Sequence, residues 1–296
     1  MIPEGSALLV DGNNLTMRAV KALEASGAHL GEDVNTGPAH VVAMMLGRYI
    51  RAVSPALVMV AWDCGYEWRS VVDPNYKANR RGQPDPEIEG DDGPTAFSLV
   101  QEFLALANVS QVFARGYEAD DVIAYYVRRY RPAVILSGDK DLLQLVGSDV
   151  IQLRPQPNLS VHEQVWGPEQ VQEKFGCPPE HLSKVMALSG DESDGIVGVR
   201  RVGIKTAVKY LSQSEWSLDD LPPRLEPYSD QIRRNFALID LGAPPEPLGL
   251  PRLLPFAPTR PGSILWQDLG EWCSMYGLDQ LHSAIANGNY WEESRR

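Results

Sequence analysis

The chain has 296 residues, of which 44% are hydrophobic and 22% are charged. These values are ordinary for a globular protein, and this length can bury one large core or two smaller ones. No segment approaches the roughly 18–20 consecutive apolar residues of a membrane helix, and the N-terminus lacks the basic start of a signal peptide. Three widely spaced cysteines without a CxxC pattern indicate a reduced compartment. We therefore expect a cytoplasmic protein with no membrane contact.

The net charge of −12 at first argues against a nucleic-acid partner. Its distribution along the chain is more informative. Residues 195–211 contain four basic residues and no acid, and residues 69–81 contain four basic residues against Asp73 alone. The charge pattern is therefore compatible with binding to nucleic acid, although it does not by itself predict it.

Short apolar runs alternate with helical patterns in the first half of the chain. The predicted buried strands are residues 7–10, 56–61, 109–114 and 133–136, and the predicted helices lie near residues 38–53, 94–108 and 119–130. This alternation predicts a parallel sheet that is covered by helices on both faces. In such sheets, functional sites form beyond the carboxyl ends of the strands.

Acidic residues follow each of the four predicted strands. In chain order they are Asp11 after the first, Asp63 after the second, Glu118, Asp120 and Asp121 after the third, and Asp139 and Asp141 after the fourth. Because the carboxyl ends of parallel strands meet at one rim, we expect these side chains to lie together. A lone Asp after a strand is often only a helix N-cap. The prediction therefore rests on acids following all four strands, and not on any one of them.

The second half of the chain, from about residue 177, is predicted to be helical. Asp191 and Asp194 are three residues apart and share a face on a helical turn. A glycine-bearing turn follows within residues 195–211, and proline-rich connectors lie at 222–227 and 243–261. The last stretch, residues 264–287, is helical again; there Trp266, Trp272 and Tyr276 are interpreted as core residues.

The carboxylates are oxygen ligands with no His or Cys nearby, a set that suits Mg²⁺ or Mn²⁺ rather than zinc. So many like charges at one rim would repel each other unless cations neutralised them. Phosphodiester hydrolysis by two metal ions about 4 Å apart would use such a cluster. We therefore predict a site for two or more divalent ions.

Six segments resemble the flap endonuclease family, which includes phage 5′-nucleases and the 5′-nuclease domain of bacterial family-A DNA polymerases. They are LLVDGNN (8–14), VAWD (60–63), YKANRR (76–81), GYEADDVIA (116–124), ILSGDKDLLQLV (135–146) and ALSGDESDGIVGVRRVGIKTA (187–207). They occur in the family's order and cover roughly the first 210 residues. Because none of the matched segments belongs to a polymerase domain, we expect the free-standing form of the nuclease.

The resemblance implies a PIN-like α/β nuclease domain at residues 1–176, with a helical arch at about 78–97. It also implies a helical DNA-binding region at 177–296, with a helix–three-turn–helix at about 187–211. The arch departs from expectation, because residues 82–92 hold five acids and no base. Gly195 and Met186 also stand where relatives commonly carry Asn and a basic residue.

The resemblance also implies roles for individual residues. The first metal site would use Asp63, Glu118, Asp120 and Asp121, with Asp11 close by or acting through water, and the second would use Asp139, Asp141, Asp191 and Asp194. Lys77 and Arg80 would contact the scissile phosphate. Further DNA contacts would come from Arg69, Tyr76, Arg81, Gly198, Arg200, Arg201, Gly203, Lys205, Thr206 and Lys209, and K⁺ could bind in the helix–three-turn–helix. Tyr76 is nearly as compatible with a core position, and Arg69 with a solvated surface cation.

The implied function is a structure-selective 5′-nuclease, active as a flap endonuclease and 5′–3′ exonuclease and acting as a monomer. Its substrates would be branched or 5′-ended DNA: flap, pseudo-Y, nicked or gapped duplex. Two alternatives remain. One is a catalytically weak or inactive DNA-binding relative of the same fold. The other is a single-metal PIN-type ribonuclease, which would not need Asp191, Asp194 or the glycine-bearing turn.

Overall fold

The computed structural model describes residues 2–27, 36–78, 94–156, 158–242 and 266–286. The predicted arch falls mostly between residues 79 and 93, outside the described residues. Arg80 and Arg81 lie in the same interval, so their predicted roles stay predictions. None of the described helices combines the length and the apolar character that crossing a bilayer requires.

A six-stranded sheet forms the centre of the fold. Its strands are β1 (Ala7–Asp11), β2 (Leu57–Trp62), β3 (Ser110–Phe113), β4 (Ala133–Leu136), β5 (Val150–Leu153) and β6 (Val165–Trp166). They lie in the order β3-β2-β1-β4-β5-β6. The first five are parallel, and β6 runs antiparallel to β5. The predicted α/β class with a mostly parallel sheet is confirmed.

Eleven helices are found in the described part of the chain. They are α1 (Gly12–Ser26), α2 (Gly37–Val53), α3 (Glu67–Val72), α4 (Ala96–Leu106), α5 (Ala119–Arg129), α6 (Pro168–Phe175), α7 (Leu182–Ser189), α8 (Ile204–Gln213), α9 (Ser229–Ile239), α10 (Trp266–Met275) and α11 (Asp279–Ala286).

The central strands are buried on both faces, which explains why they read as continuous apolar runs rather than as alternating patterns. From β1, Leu8 and Val10 face a cluster that includes residues of α1, α2 and α4. Leu9 faces the opposite side, where α5 contributes Val122 and Ile123. Helices on both faces leave the ends of the strands as the open part of this layer.

Helices α6 to α9 share a separate hydrophobic cluster that includes Leu188, Leu211 and Ile232. Between α7 and α8 the chain forms a small antiparallel hairpin of two-residue strands, β7 (Gly190–Asp191) and β8 (Ile196–Val197). Sequence patterns predict no strands here, because two residues are too few to produce a periodicity. The hairpin places Asp191 and Asp194 between the two helices.

Helices α10 and α11 do not join that cluster. Trp272 is buried and tilted against Phe103 of α4, with ring centroids 6.0 Å apart. Leu269 and Leu281 belong to the same core as the first face of the sheet. The predicted region 177–296 therefore does not pack as one unit, because its last two helices return to the sheet. The interpretation of Trp272 as a core residue is confirmed.

Replacing Trp272 with Ala should lower the free energy of unfolding by about 3 kcal/mol, because the cavity left under α10 cannot close completely. Met275 lies on the same helix and is 68% exposed. Met275→Ala is the matched control and should change stability by less than about 0.5 kcal/mol. Urea unfolding followed by circular dichroism measures both; equal small effects would show that α10 is not docked on α4.

Candidate metal centre and nucleic-acid interface

Carboxylates converge in a cleft of about 760 Å³ at the carboxyl ends of the strands. The acidic residues that line it are Asp11, Asp63, Glu118, Asp120, Asp139, Asp141 and Asp194. Asp191 is buried beside Asp141 and Asp194. The central sheet and the β7–β8 hairpin thus bring together eight of the nine acids predicted as metal ligands.

Asp11 and Asp63 are fixed by hydrogen bonds at the ends of β1 and β2. Asp11 caps α1, where its Oδ1 accepts from the backbone N–H of Asn14 at 2.9 Å, and its Oδ2 accepts from Ser137 Oγ at 2.7 Å. Asp63 Oδ1 accepts from the N–H of Ala119 at 2.7 Å, at the start of α5. Each carboxylate therefore accepts a backbone N–H at the start of a helix, Asp11 as the N-cap of α1 and Asp63 from outside α5, and both line the cleft.

Glu118, Asp120 and Asp121 lie at the N-terminus of α5, where the helix dipole favours negative charge. Glu118 and Asp120 line the cleft. Asp121 is fully buried and points away into the protein. Both its oxygens are occupied, because Oδ2 accepts from the N–H of Glu118 at 3.1 Å and from Trp68 Nε1 at 3.2 Å, and Arg69 contacts both oxygens.

Arg69 is 3% exposed, and its guanidinium is fully engaged inside the protein. It binds Asp121 with two hydrogen bonds of 2.6 and 2.9 Å, and Glu118 with one of 2.9 Å. Its Nε donates to the carbonyl of Leu238 in α9 at 2.9 Å. In this geometry Arg69 and Asp121 bind each other, and the roles of Arg69 as a DNA contact and of Asp121 as a metal ligand stay predictions. Together they form a buried pair that positions Glu118.

Tyr76 is also buried, so its predicted stacking on an unpaired base is not supported by this position. Its hydroxyl lies 2.9 Å from Glu118 Oε2 and 3.2 Å from Asp194 Oδ2, near enough to donate to either. Glu118 follows β3 and Asp194 follows the β7 strand of the helical region. The hydroxyl therefore joins the two groups of carboxylates that the sequence assigned to two metal sites.

Lys77 places its ammonium at the same junction. Its Nζ forms an ion pair with Glu118 Oε1 and lies 3.8 Å from Asp194 Oδ1. Its backbone N–H donates to the carbonyl of Asp194 at 3.1 Å, and its φ of +51° is unusual for a residue with a side chain. The Lys77 ammonium thus lies inside the carboxylate cluster, and its predicted contact with the scissile phosphate stays a prediction.

The second group of carboxylates consists of Asp141, Asp191 and Asp194, whose oxygens lie within 4.8 Å of one another. Asp139 stands beside them, and its Oδ1 accepts from the N–H of Asp141 at 2.9 Å. Asp191 is held by Ser193, whose N–H and hydroxyl donate to Oδ1 at 3.1 and 2.6 Å.

Asp141 Oδ1 is buried and lacks a hydrogen-bond partner within the described residues. A buried oxygen without a donor costs free energy unless another positive group compensates it. The donor set consists of oxygen atoms only, as Mg²⁺ or Mn²⁺ prefers. The residues therefore fit a divalent ion at Asp141, Asp191 and Asp194.

Burial and mutual repulsion raise the pKa of several carboxylates in the metal-free cleft. Burial, with the neighbouring charges of Asp63 and Asp139, raises the pKa of Asp11 to about 7. Burial and the charge of Asp139 also raise the pKa values of Asp120 and Asp141 well above the ordinary range. Raised pKa values of this kind are expected where buried like charges lie close together.

Asp191 behaves differently from its neighbours. Burial alone would raise its pKa, but hydrogen bonds from Lys140 and Ser193 outweigh the burial and lower the pKa.

Sequence reasoning missed Lys140, although it lies inside the GDKD segment. It also missed Ser137 and Asn14, which orient Asp11 and the backbone of Gly138. Their positions within the matched segments were the available signal.

The predicted helix–three-turn–helix corresponds to the end of α7, the β7–β8 hairpin and α8. Arg200, Arg201, Gly203, Lys205 and Lys209 are exposed, and Thr206 is half-buried. All but Lys209, which lies further along α8, are at or before the first turn of this helix, where backbone N–H groups and the helix dipole favour an anion. The arrangement is suitable for contacting a phosphate backbone, which stays a prediction for each of these residues.

Gly198 has a packing role within this unit. A Cβ atom at this position would lie 2.1 Å from the carbonyl oxygen of Ser189 and 2.6 Å from the nitrogen of Gly190. The hairpin can therefore close against the end of α7 only when residue 198 lacks a side chain. The glycine is required by contacts within the protein, and its predicted contact with DNA is untested.

Comparisons with known proteins agree with this geometry. The family model "5′-3′ exonuclease, N-terminal resolvase-like domain" matches residues 6–176. DNA polymerase I of Mycobacterium tuberculosis is 34% identical over 212 residues, which is 70% of this chain and 23% of the relative. Thermostable DNA polymerase I of Thermus aquaticus is 33% identical over 236 residues, which is 78% of this chain and 26% of the relative. The chain thus spans about a quarter of these relatives.

Solved structures show the same fold. The bacteriophage T5 D15 flap endonuclease, in a complex with DNA and metal ions, superposes with a TM-score of 0.63 at 20% identity, covering 95% of this chain and 98% of that one. Flap endonuclease-1 from Methanococcus jannaschii gives a TM-score of 0.57 at 16% identity, and the match covers 96% of this chain and 94% of that one.

The fold and the oxygen-only carboxylate site define a nuclease of the metal-dependent phosphodiesterase class. The chain belongs to the 5′-3′ exonuclease family. The family, the fold class and the enzyme class predicted from the sequence are confirmed.

The raised pKa of Asp11 predicts a pH dependence of stability in the metal-free protein. The unfolded chain loses this proton near pH 3.8, whereas the native state keeps it to about pH 7. The free energy of unfolding should therefore fall as the pH rises between these values, by on the order of a few kcal/mol. Asp11→Asn, which preserves the N-cap, should reduce this fall.

The measurement is thermal unfolding in EDTA at about pH 5 and about pH 8. Glu173→Gln removes an exposed acid on α6 and is the control. If Asp11→Asn loses as much stability between these two pH values as the wild-type chain does, Asp11 is not the source of the pH dependence.

Replacing Arg69 with Met should lower the free energy of unfolding by about 3 kcal/mol, because Asp121 would remain buried without its partner. Arg69→Lys should recover only part of this loss, since an ammonium cannot form the bidentate hydrogen bonds that the guanidinium makes with Asp121. Arg233→Met removes a pair whose arginine side chain is 62% exposed and should cost at most about 1 kcal/mol. If denaturant unfolding shows Arg69→Met to be as mild as Arg233→Met, the buried pair does not stabilise the site.

Proposed function

We propose that this chain is a structure-selective 5′-nuclease that hydrolyses DNA phosphodiesters as a flap endonuclease and 5′–3′ exonuclease. One observation carries the proposal. Glu118 of the sheet rim and Asp194 of the helical region both lie within hydrogen-bond distance of the Tyr76 hydroxyl. Two carboxylate groups are therefore adjacent, as two-metal hydrolysis of a phosphodiester requires.

The first group would hold a divalent ion through Asp63, Glu118 and Asp120, with Asp11 close by. The second would use Asp139, Asp141, Asp191 and Asp194. We propose Mg²⁺ or Mn²⁺ on the basis of the oxygen-only donor set. Divalent ions held by these residues would lower the pKa of an attacking water and neutralise charge on the leaving oxygen.

The protein's own cations would position the substrate. The Lys77 ammonium lies between Glu118 and Asp194, so it can contact a phosphate that spans the two groups and stabilise its developing negative charge. Arg80 is proposed for the same phosphate from the adjoining segment. Arg69 acts indirectly, because it holds Glu118 in place through the buried pair with Asp121.

The helix–three-turn–helix would bind duplex DNA through its backbone. The N-terminus of α8 is suited to phosphates, and the exposed Arg200, Arg201, Lys205 and Lys209 supply positive charge near it and along the helix. A K⁺ ion in this turn is proposed from the family resemblance. Binding of this kind should weaken steeply as the salt concentration rises.

The proposed substrates are branched or 5′-ended duplexes: flap, pseudo-Y, nicked or gapped DNA, cut by a monomer. Two comparisons support DNA as the partner. The relatives that match over most of this chain are DNA polymerases, and the similar T5 enzyme was solved with DNA and metal ions.

A labelled 5′-flap duplex tests this function directly. The wild-type chain should cut near the base of the flap with Mg²⁺ and not in EDTA. Asp139→Asn and Asp191→Asn should each slow cleavage by about a hundredfold or more, since each weakens the neutralisation of charge in the transition state. Asp219→Asn changes a 78% exposed acid and should cut at the wild-type rate.

Two results would contradict the proposal. A pure wild-type chain that binds the flap but never cuts it with Mg²⁺ or Mn²⁺ would indicate a DNA-binding protein without catalysis. Cleavage of single-stranded RNA that is unaffected by Asp191→Asn would indicate a ribonuclease that uses one metal.

A further inference from the structure

Lys140 inserts a positive charge into the second group of carboxylates. It lies between Asp139 and Asp141, and its Nζ donates to Asp191 Oδ2 at 2.7 Å and to Ser193 Oγ at 3.3 Å. The same Nζ is 3.7 Å from Asp141 Oδ1, the buried oxygen that lacks a hydrogen-bond partner. The ammonium is thus within 4 Å of two of the three carboxylates that form the candidate cation cluster.

An ammonium and a divalent ion cannot share this position. A magnesium ion would approach a carboxylate oxygen to about 2.1 Å. A divalent ion on Asp191 Oδ2 would then lie beside the Lys140 nitrogen, and the two positive charges would repel each other strongly in a half-buried setting. Lys140 and a divalent ion can contact this oxygen together only against that repulsion, so each weakens the binding of the other.

We propose that Lys140 is a built-in competitor for the second divalent-ion site. Its ammonium occupies the site in the metal-free protein and must swing outward before a divalent ion binds Asp191. This role rests on the second metal site of the proposed function. It makes the second site weaker than the first and makes its occupancy depend on the divalent-ion concentration.

The surroundings of Lys140 permit this exchange. Its side chain is 38% exposed, and a lysine has a flexible four-carbon stem, so an outward rotamer is accessible. Asp191 keeps its orientation when the lysine leaves, because Ser193 binds Oδ1 through its N–H and its hydroxyl. Oδ2 would then be open to a metal.

Lys77 differs from Lys140 in this respect. Its side chain is only 11% exposed, and its ammonium is enclosed by Glu118, Asp194 and the Tyr76 ring. It remains at the junction of the two groups. Of these two lysines, Lys140 is therefore the one that is free to leave.

Titration of the whole chain with Mn²⁺ in the absence of DNA tests the proposal, with free Mn²⁺ measured by electron paramagnetic resonance. The wild-type chain should bind one ion tightly and a second more weakly. Lys140→Met should tighten the weaker site by about fivefold, the ratio expected when a half-exposed ion pair no longer competes. Lys140→Arg, which keeps the charge, should bind close to the wild-type affinity.

Lys174→Met is the matched control, because it removes one exposed positive charge on α6 and should leave both affinities unchanged. A second readout is thermal unfolding. Lys140→Met should unfold at a lower temperature than wild type in EDTA and gain more from saturating Mn²⁺. Should this variant be too unstable without metal, Lys140→Gln keeps a polar donor and carries the same expectation for Mn²⁺ affinity.

Two different failures can be distinguished. If the wild-type chain binds two Mn²⁺ ions and Lys140→Met leaves the weaker affinity unchanged or lowers it, Lys140 is not a competitor, and the proposed function stands. If the wild-type chain binds fewer than two ions, the second site of the proposed function fails, and the role of Lys140 fails with it.

Discussion

Repulsion among the carboxylates at the strand ends is the constraint on which the rest of this structure depends. Parallel strands deliver Asp11, Asp63 and Glu118 to one rim, and burial removes the water that would screen them. The protein compensates only part of this charge, through the N-terminus of α5 and three basic side chains. Burial, with the charges of Asp63 and Asp139, raises the pKa of Asp11, and divalent cations would neutralise this cluster.

The basic side chains differ in what they hold. Arg69 is enclosed and ties Glu118 to Asp121 and to the carbonyl of Leu238 at the end of α9. Lys77 and the Tyr76 hydroxyl connect Glu118 with Asp194, which belongs to the hairpin between α7 and α8. The carboxylate site is therefore built jointly by the sheet and by the helical region proposed to hold duplex DNA. A shift of that region would be transmitted directly to Glu118.

The cluster of carboxylates at the strand ends could be predicted from the sequence, because each strand is an apolar run that is followed directly by acidic residues. The end of such a run shows where each carboxylate must lie. Sequence reasoning could not predict that Asp121 turns inward while Asp120 lines the cleft, since both fit the same helical start. It could not predict that Arg69 and Tyr76 are buried, because burial of a charged or polar side chain depends on contacts with segments distant in sequence, such as α9 for Arg69. Strand β5, with the sequence VIQL, and helix α1 were missed, the first because four residues give little periodicity. The docking of α10 and α11 on α4 leaves no local pattern at all.

The number of divalent ions bound per chain tests the central claim most directly. Equilibrium dialysis of the wild-type chain against Mn²⁺, without DNA, should show two ions per chain at saturation, one for each carboxylate group. Asp191→Asn should keep the ion held by Asp63, Glu118 and Asp120 and lose the other. Two ions bound by wild type and one by the variant would support a centre built from both parts of the fold. Binding of a single ion that is unaffected by Asp191→Asn would contradict it.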